Sequence, residues 1–137
     1  MNDFFAEIEE VFGSVYLNAF SDELYNNQVY NLLGFSLFGF SLLWMITYYY
    51  VINHPKYSTR LWWAIWTIIG GLITAVISYI ISFNALSEIY FNNQKVLPYL
   101  NEFYTLSIIN LFWSVILSFL FSIFLRLKST NASHTPF

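Results

Sequence analysis

The sequence predicts an all-α integral membrane protein, with three transmembrane helices preceded by an N-terminal amphipathic helix. The first observation is composition, since 58% of the 137 residues are hydrophobic and only 9% are charged. A soluble domain carries about 25% charged residues, and a chain this short leaves much of its surface in water when it folds alone. The second observation is three long uncharged runs. The third is the separation of basic from acidic residues on either side of those runs.

The three uncharged runs cover residues 29–52, 61–83 and 104–125. Each has at least 22 residues and contains no Asp, Glu, Lys, Arg or His. About 20 helical residues are enough to cross the hydrocarbon core of a bilayer. A transmembrane β-barrel would instead show alternating segments of about 10 residues, and these runs do not alternate. We therefore predict three transmembrane helices.

Residues 1–20 are predicted to form the amphipathic helix. Phe5 and Ile8 recur at helical spacing, while Glu7 and Glu10 fall on the opposite face. The segment lacks the basic start of a secretory signal peptide. Helices that bind a lipid surface alone are normally rich in Lys and Arg, so we expect this acidic helix to dock on protein, either on its own spans or on another subunit.

A turn is predicted between the N-terminal helix and the first span. Ser21-Asp22, followed by Asn26-Asn27, carries the polar turn-forming residues. We expect the acidic face of the helix to be solvated, with Glu9 near the edge of that face. We expect the apolar face of the helix to be buried.

Basic residues indicate the orientation of the chain. The loop 53–60 and the tail 126–137 hold four of the five Lys/Arg residues and no acidic residue. All eight acidic residues lie in the N-terminal segment and the loop 84–103, with Lys95 as the only basic residue there. Short loops rich in Lys and Arg stay in the cytoplasm. We predict an extracytoplasmic N-terminus, a cytoplasmic C-terminus and a multi-pass location in the cell membrane, most simply a bacterial cytoplasmic membrane.

Small and hydroxyl-bearing residues follow one face of the second span and one face of the third. Membrane helices associate through close packing of small residues and shared hydrogen bonds, because lipid offers no hydrophobic driving force between them. These two faces are expected either to pack against each other or to line a polar path at the centre of an oligomer. The helix-packing or pore-lining candidates are Thr67, Gly70, Gly71, Thr74, Ser78, Ser107, Asn110, Ser114 and Ser118.

Catalytic and metal-binding groups are scarce in this sequence. There is no Cys, which excludes disulfides, thiolate nucleophiles and Cys-based metal sites. The predicted spans contain no charged residue, whereas intramembrane charges usually mark proton relays and ion pathways. The basic surface that nucleic acid requires is also missing. We expect neither an enzyme nor a coupled transporter, and no cofactor, metal site or nucleic-acid partner.

Two functions stay open at this stage. The first is a self-associating, homo-oligomeric pore or channel-like assembly that uses the Ser/Thr/Asn faces. The second is a non-conducting accessory or anchoring subunit of a larger membrane complex, docked through Glu7, Glu10, Lys56 or Arg60. In both cases the expected partners are the lipid bilayer and either further copies of the chain or another membrane protein.

Overall fold

The described part of the chain is almost entirely helical and contains no strand. The residues that a computed structural model of the protein describes are 1–11, 19–52, 54–57, 59–92 and 99–126. Within them, three helices are long and apolar enough to cross a membrane, over Val29–Ile52, Arg60–Phe91 and Leu100–Arg126. The predicted all-α class is therefore confirmed, as is the presence of three helices that can cross a membrane.

Two short helices precede the first span. Helix α1 is Asn2–Glu9 and helix α2 is Ala19–Asn26. The predicted helix of residues 1–20 therefore corresponds to α1 and the first residues of α2, while residues 12–18 lie outside the described part of the chain. Because α1 and α2 are separate helices, each can bury its own face against the bundle.

The turn before the first span coincides with only the second part of the predicted turn. Ser21 and Asp22 belong to α2, because the helix buries Phe20 and Leu24, which lie one helical turn apart. The chain turns at Asn27 and Gln28, and the backbone φ of Gln28, 56°, is left-handed. This conformation stops α2 and redirects the chain into the first span.

The spans run antiparallel to their sequence neighbours. Helix α3 is Val29–Ile46 and continues as a π-helical turn over Thr47–Ile52. Helix α4 is Arg60–Asn92 and helix α5 is Leu100–Arg126. At 1.5 Å per residue α4 is about 50 Å long, whereas the hydrocarbon core of a bilayer is about 30 Å thick.

The extra length of α4 changes the predicted loop 84–103. Residues 84–92 are the last turns of α4, and α5 already begins at Leu100. The physical reason is burial, since Leu86 and Phe103 are fully enclosed and pack in the same apolar cluster as Leu24 of α2. We call this end of the bundle, with α1 and α2, the acidic end.

The opposite end of the bundle is aromatic. Met45, Tyr48 and Tyr49 are buried there, with Trp44 and Trp66 packed against them. This end comprises the π-helical turn, the short 3-10 helix Pro55–Tyr57, the start of α4 and the end of α5. We call it the basic end, because Lys56 of the 3-10 helix, Arg60 at the start of α4 and Arg126 at the end of α5 lie there.

A pair of tryptophans joins α3 to α4 near the basic end. The rings of Trp44 and Trp66 stack with centroids 4.3 Å apart. Each indole N–H donates to the other residue's backbone carbonyl, at 2.9 Å from Trp44 and 3.1 Å from Trp66. A Cβ on Gly70 would lie 2.5 Å from the Trp44 ring, so this position requires glycine for the two helices to approach.

Candidate functional site

Hydroxyl groups from all three spans meet at the centre of the bundle. The Ser114 Oγ of α5 lies 3.1 Å from the Ser41 Oγ of α3 and 3.1 Å from the Thr74 Oγ1 of α4. Thr74 also donates to the backbone carbonyl of Gly70 at 2.9 Å. All three hydroxyl-bearing residues are buried. One hydroxyl from each span therefore bonds to another span inside a single chain, whereas the buried hydroxyl groups of Thr67, Ser78 and Ser118 make no hydrogen bond within the described part of the chain.

Every predicted helix-packing or pore-lining residue lies inside this bundle. A Cβ on Gly71 of α4 would come within 3.4 Å of Val115 and Leu111 of α5, so the two helices are in close contact at that point. Ser41 of α3 completes the cluster and was not among the predicted site residues. The buried set is Thr67, Gly70, Gly71, Thr74, Ser78, Ser107, Asn110, Ser114 and Ser118.

A second polar contact brings a carboxyl group into the bundle. The Asn110 Nδ2 of α5 donates to the Glu9 Oε2 of α1 at 2.8 Å and to the backbone carbonyl of Leu106 at 3.2 Å. Glu9 is 1% exposed and Asn110 is fully buried. Burial raises the pKa of the Glu9 carboxyl from 4.5 to about 8, although the hydrogen bond from Asn110 acts in the opposite direction. At neutral pH this carboxyl is therefore mostly protonated.

The burial of Glu9 overturns one expectation from the sequence. Glu9 does not lie at the edge of a solvated face, because α1 turns this residue toward the spans. The predicted spans themselves contain no charged residue, and α1 adds one ionisable group to the interior of the bundle.

Helix α1 carries Glu9 inward because of its neighbour one turn earlier. Phe5 and Glu9 are four residues apart and so share a helix face. The Phe5 ring fills the space beside Gly34 of α3, where a Cβ would overlap the ring. Its centroid lies 5.3 Å from the Phe35 ring. The spacing of Phe5 and Glu9, and the single Asn deep in a span, are the sequence signals that could have identified this contact.

Other carboxyl groups of the acidic end also accept hydrogen bonds from neutral donors. Glu10 accepts from the Tyr30 hydroxyl at 3.0 Å and from the Ser21 hydroxyl. Glu23 of α2 accepts from Tyr90 at 2.5 Å and from Tyr99 at 3.2 Å. These contacts fasten α2 to the end of α4 and to the residue before α5.

The predicted docking residues fall into two groups. Glu7, Lys56 and Arg60 are exposed. Glu10 is half-buried and accepts the two hydrogen bonds just described, so it contributes to the fold of its own chain. The structure does not bring these four residues together, because Lys56 and Arg60 lie at the basic end and Glu7 lies at the acidic end.

The chemistry available to the buried site is proton binding and hydrogen bonding. Among the described residues no group of three or more His, Cys, Asp or Glu could hold a metal ion. No family model, curated protein or solved structure matches this chain.

Proposed function

We propose that this protein is a non-conducting accessory or anchoring subunit of a larger membrane complex. The observation that supports this function best is the contact of Ser41, Thr74 and Ser114, which joins one buried hydroxyl of each span within one chain. A pore formed between copies would need polar side chains on the outside of the bundle. These polar groups lie inside it.

The outer surface of the spans supports the same proposal. It is formed by large apolar side chains, which suit lipid or the apolar flank of another membrane protein. A path between copies would be lined by these groups, and apolar constrictions close pores by excluding water. The exposed side chains include Leu32, Phe35, Ile68, Leu72, Val76, Ile108 and Phe112.

We further propose an orientation for the subunit. The rule that Lys- and Arg-rich short loops remain in the cytoplasm places the basic end inside the cell and α1 outside. The exposed side chains available to a partner are then Glu7 on the outer side and Lys56 and Arg60 on the inner side. The expected location is a cell membrane, with the bacterial cytoplasmic membrane as the simplest assignment.

The experiment that tests this proposal measures ion flux and mass together. The purified protein is placed in liposomes loaded with potassium and a small dye, and its mass is determined in nanodiscs. We expect potassium and dye to be released no faster than from protein-free liposomes. We expect the mass in nanodiscs to be that of a monomer or a small oligomer. The homo-oligomeric pore stays a prediction that the same experiment tests.

A matched pair of variants gives that experiment its control. Ser114→Leu removes the central hydroxyl, whereas Ser36→Leu removes a half-buried hydroxyl that bonds only to the backbone of its own helix. Release by the wild type that disappears in Ser114→Leu, but persists in Ser36→Leu, would contradict the accessory function. Release that is absent from the wild type and both variants supports it.

A further inference from the structure

A cavity opens at the basic end of the bundle. Its volume is about 160 Å³, and it is lined by Tyr48, Ile52, Tyr57, Trp62 and Trp66. The lining presents no polar surface to the cavity. An occupant would therefore find apolar and aromatic contacts inside and no hydrogen-bonding partner.

The polar atoms of the lining side chains are turned away from the cavity or already bonded. The Tyr48 hydroxyl donates to the backbone carbonyl of Tyr57 at 2.9 Å. The Trp66 indole donates to the backbone carbonyl of Trp44 at 3.1 Å. The rings of Tyr57 and Trp62 meet edge to face with centroids 5.2 Å apart, which fixes one wall. The cavity is thus a built feature with a defined apolar character.

Positive charge lies at the rim of this cavity. The Lys56 Nζ is 5.8 Å from the centroid of the Tyr57 ring, and Arg60 begins the helix that carries Trp62. Both basic side chains are exposed. The sequence contains no Asp or Glu over residues 24–87 or 103–137. The described elements that form the basic end therefore contain no side-chain carboxylate to balance these charges.

We propose that the basic end binds one anionic phospholipid. Its phosphate contacts Lys56 and Arg60, and the upper part of one acyl chain enters the cavity. Aromatic rings also bind quaternary ammonium groups, but the two rim cations repel such a headgroup and attract a net negative one. This binding site is independent of the proposed accessory function, because an occupied site leaves the liposome flux result unchanged.

Competitive lipid retention tests the proposal. The full chain in detergent is incubated with equal amounts of phosphatidylglycerol and phosphatidylcholine that carry identical acyl chains, and retained lipid is counted by native mass spectrometry. We expect one phosphatidylglycerol per chain in preference to phosphatidylcholine. Equal retention of the two lipids by the wild type would overturn the proposal. An excess of inorganic phosphate should not displace the lipid, and displacement would show that the cavity contributes nothing.

Two neighbouring positions provide the steric control. Ile52→Trp fills the cavity, whereas Val51→Trp adds the same ring at a position that is 74% exposed and outside the lining. We expect retention to fall at least about tenfold in Ile52→Trp and to stay unchanged in Val51→Trp. Equal retention by the two variants would overturn the role of the cavity. Circular dichroism of each variant confirms that it is folded.

The double variant Lys56→Gln/Arg60→Gln tests whether the two basic side chains bind the lipid phosphate. Both side chains are exposed, so their removal leaves the buried core intact. We expect the preference for phosphatidylglycerol over phosphatidylcholine to fall by about thirtyfold, from the combined attraction of two cations near an anionic headgroup. An unchanged preference would overturn the assignment of the phosphate to this rim.

Discussion

The two ends of the bundle use their charged groups in opposite ways. At the acidic end, Glu9, Glu10 and Glu23 accept hydrogen bonds from side chains of the same chain. At the basic end, Lys56 and Arg60 are exposed beside an aromatic cavity. Three carboxyl groups of the acidic end are therefore bonded within the fold, while Lys56 and Arg60 at the basic end remain exposed to a partner.

The difference follows from the donors that each end contains. A carboxyl group is satisfied by neutral hydroxyl or amide donors, and the acidic end supplies Tyr30, Tyr90 and Asn110. An ammonium or guanidinium group needs acceptors. The walls at the basic end are aromatic rings whose polar atoms are bonded elsewhere. Glu9, Glu10 and Glu23 therefore stabilise the fold, whereas Lys56 and Arg60 are left for recognition.

The largest expected effect on this contrast is that of pH. The pKa of the Glu9 carboxyl is raised from 4.5 to about 8 in the folded chain, so the folded state keeps this proton to a higher pH than the unfolded state. Stability is therefore fully present below pH 4.5 and falls as the pH rises toward 8. Between pH 5 and pH 8 the decrease in the free energy of unfolding is at most about 4 kcal/mol.

Denaturant unfolding in detergent at several pH values checks this prediction. The Glu9→Gln variant keeps a hydrogen-bonding amide beside Asn110 and cannot ionise, so its stability should lack this decrease. A wild type and a Glu9→Gln variant with the same pH dependence would show that another group titrates.

The next largest effect is expected from removing the partner of the buried carboxyl. Asn110→Leu leaves the Glu9 carboxyl buried without its amide donor, which should lower the free energy of unfolding by about 2 kcal/mol. Asn101→Leu is the matched control, because Asn101 is exposed on the same helix. Its effect should stay within about 0.5 kcal/mol. Equal losses in the two variants would argue against the Glu9–Asn110 contact.

A smaller loss of stability is expected from changing the contact between α1 and α3. Gly34→Ala places a methyl group where the Phe5 ring lies, and overpacking of this kind should cost about 1.5 kcal/mol. Gly39→Ala is the control on the same helix, because a Cβ there meets no atom within 4 Å. Hydrogen exchange of the α1 amides measures the outcome. Faster exchange should occur in Gly34→Ala alone, and unchanged protection would mean that α1 is held elsewhere.

The smallest effect on the free energy of unfolding is expected from removing one tyrosine hydroxyl at each end. Tyr30→Phe removes a buried hydroxyl that donates to Glu10, which should lower the free energy of unfolding by about 1 kcal/mol. Tyr50→Phe removes an exposed hydroxyl that donates to the carbonyl of Leu125, which should cost about 0.5 kcal/mol or less. A larger loss of unfolding free energy in Tyr50→Phe than in Tyr30→Phe would contradict the stronger role of side-chain hydrogen bonds at the acidic end.

The sequence predicted the features that depend on composition and periodicity. The three spans were predicted from uncharged runs that are longer than a bilayer crossing requires. The part of the chain that the structure describes has three helices that are long and apolar enough to cross a membrane. The small and hydroxyl-bearing stripes identified residues that are buried together, including Thr74 and Ser114. The stripes alone left open whether those residues pack within one chain or line a path between chains.

The position of α1 against the spans could not be predicted from composition and periodicity. A helical projection places Glu9 near the edge of an acidic face, but it does not show that Phe5 fits beside Gly34 and turns that edge inward. The partner, Asn110, lies 101 residues away in the sequence. The aromatic cavity could not be predicted from such patterns either. Its lining residues form a pocket only because the π-helical turn places Tyr48 and Ile52 beside the start of α4.

The most direct test of the account is the titration of the Glu9 carboxyl in nanodiscs by carbon-13 NMR of glutamate-labelled protein. The account predicts one carboxyl resonance that titrates near pH 8 and is absent from Glu9→Gln. The same spectrum of Asn101→Leu should keep that resonance unchanged. A Glu9 carboxyl that titrates near its ordinary value of 4.5 would contradict this structure, because it would place Glu9 in water and α1 outside the bundle.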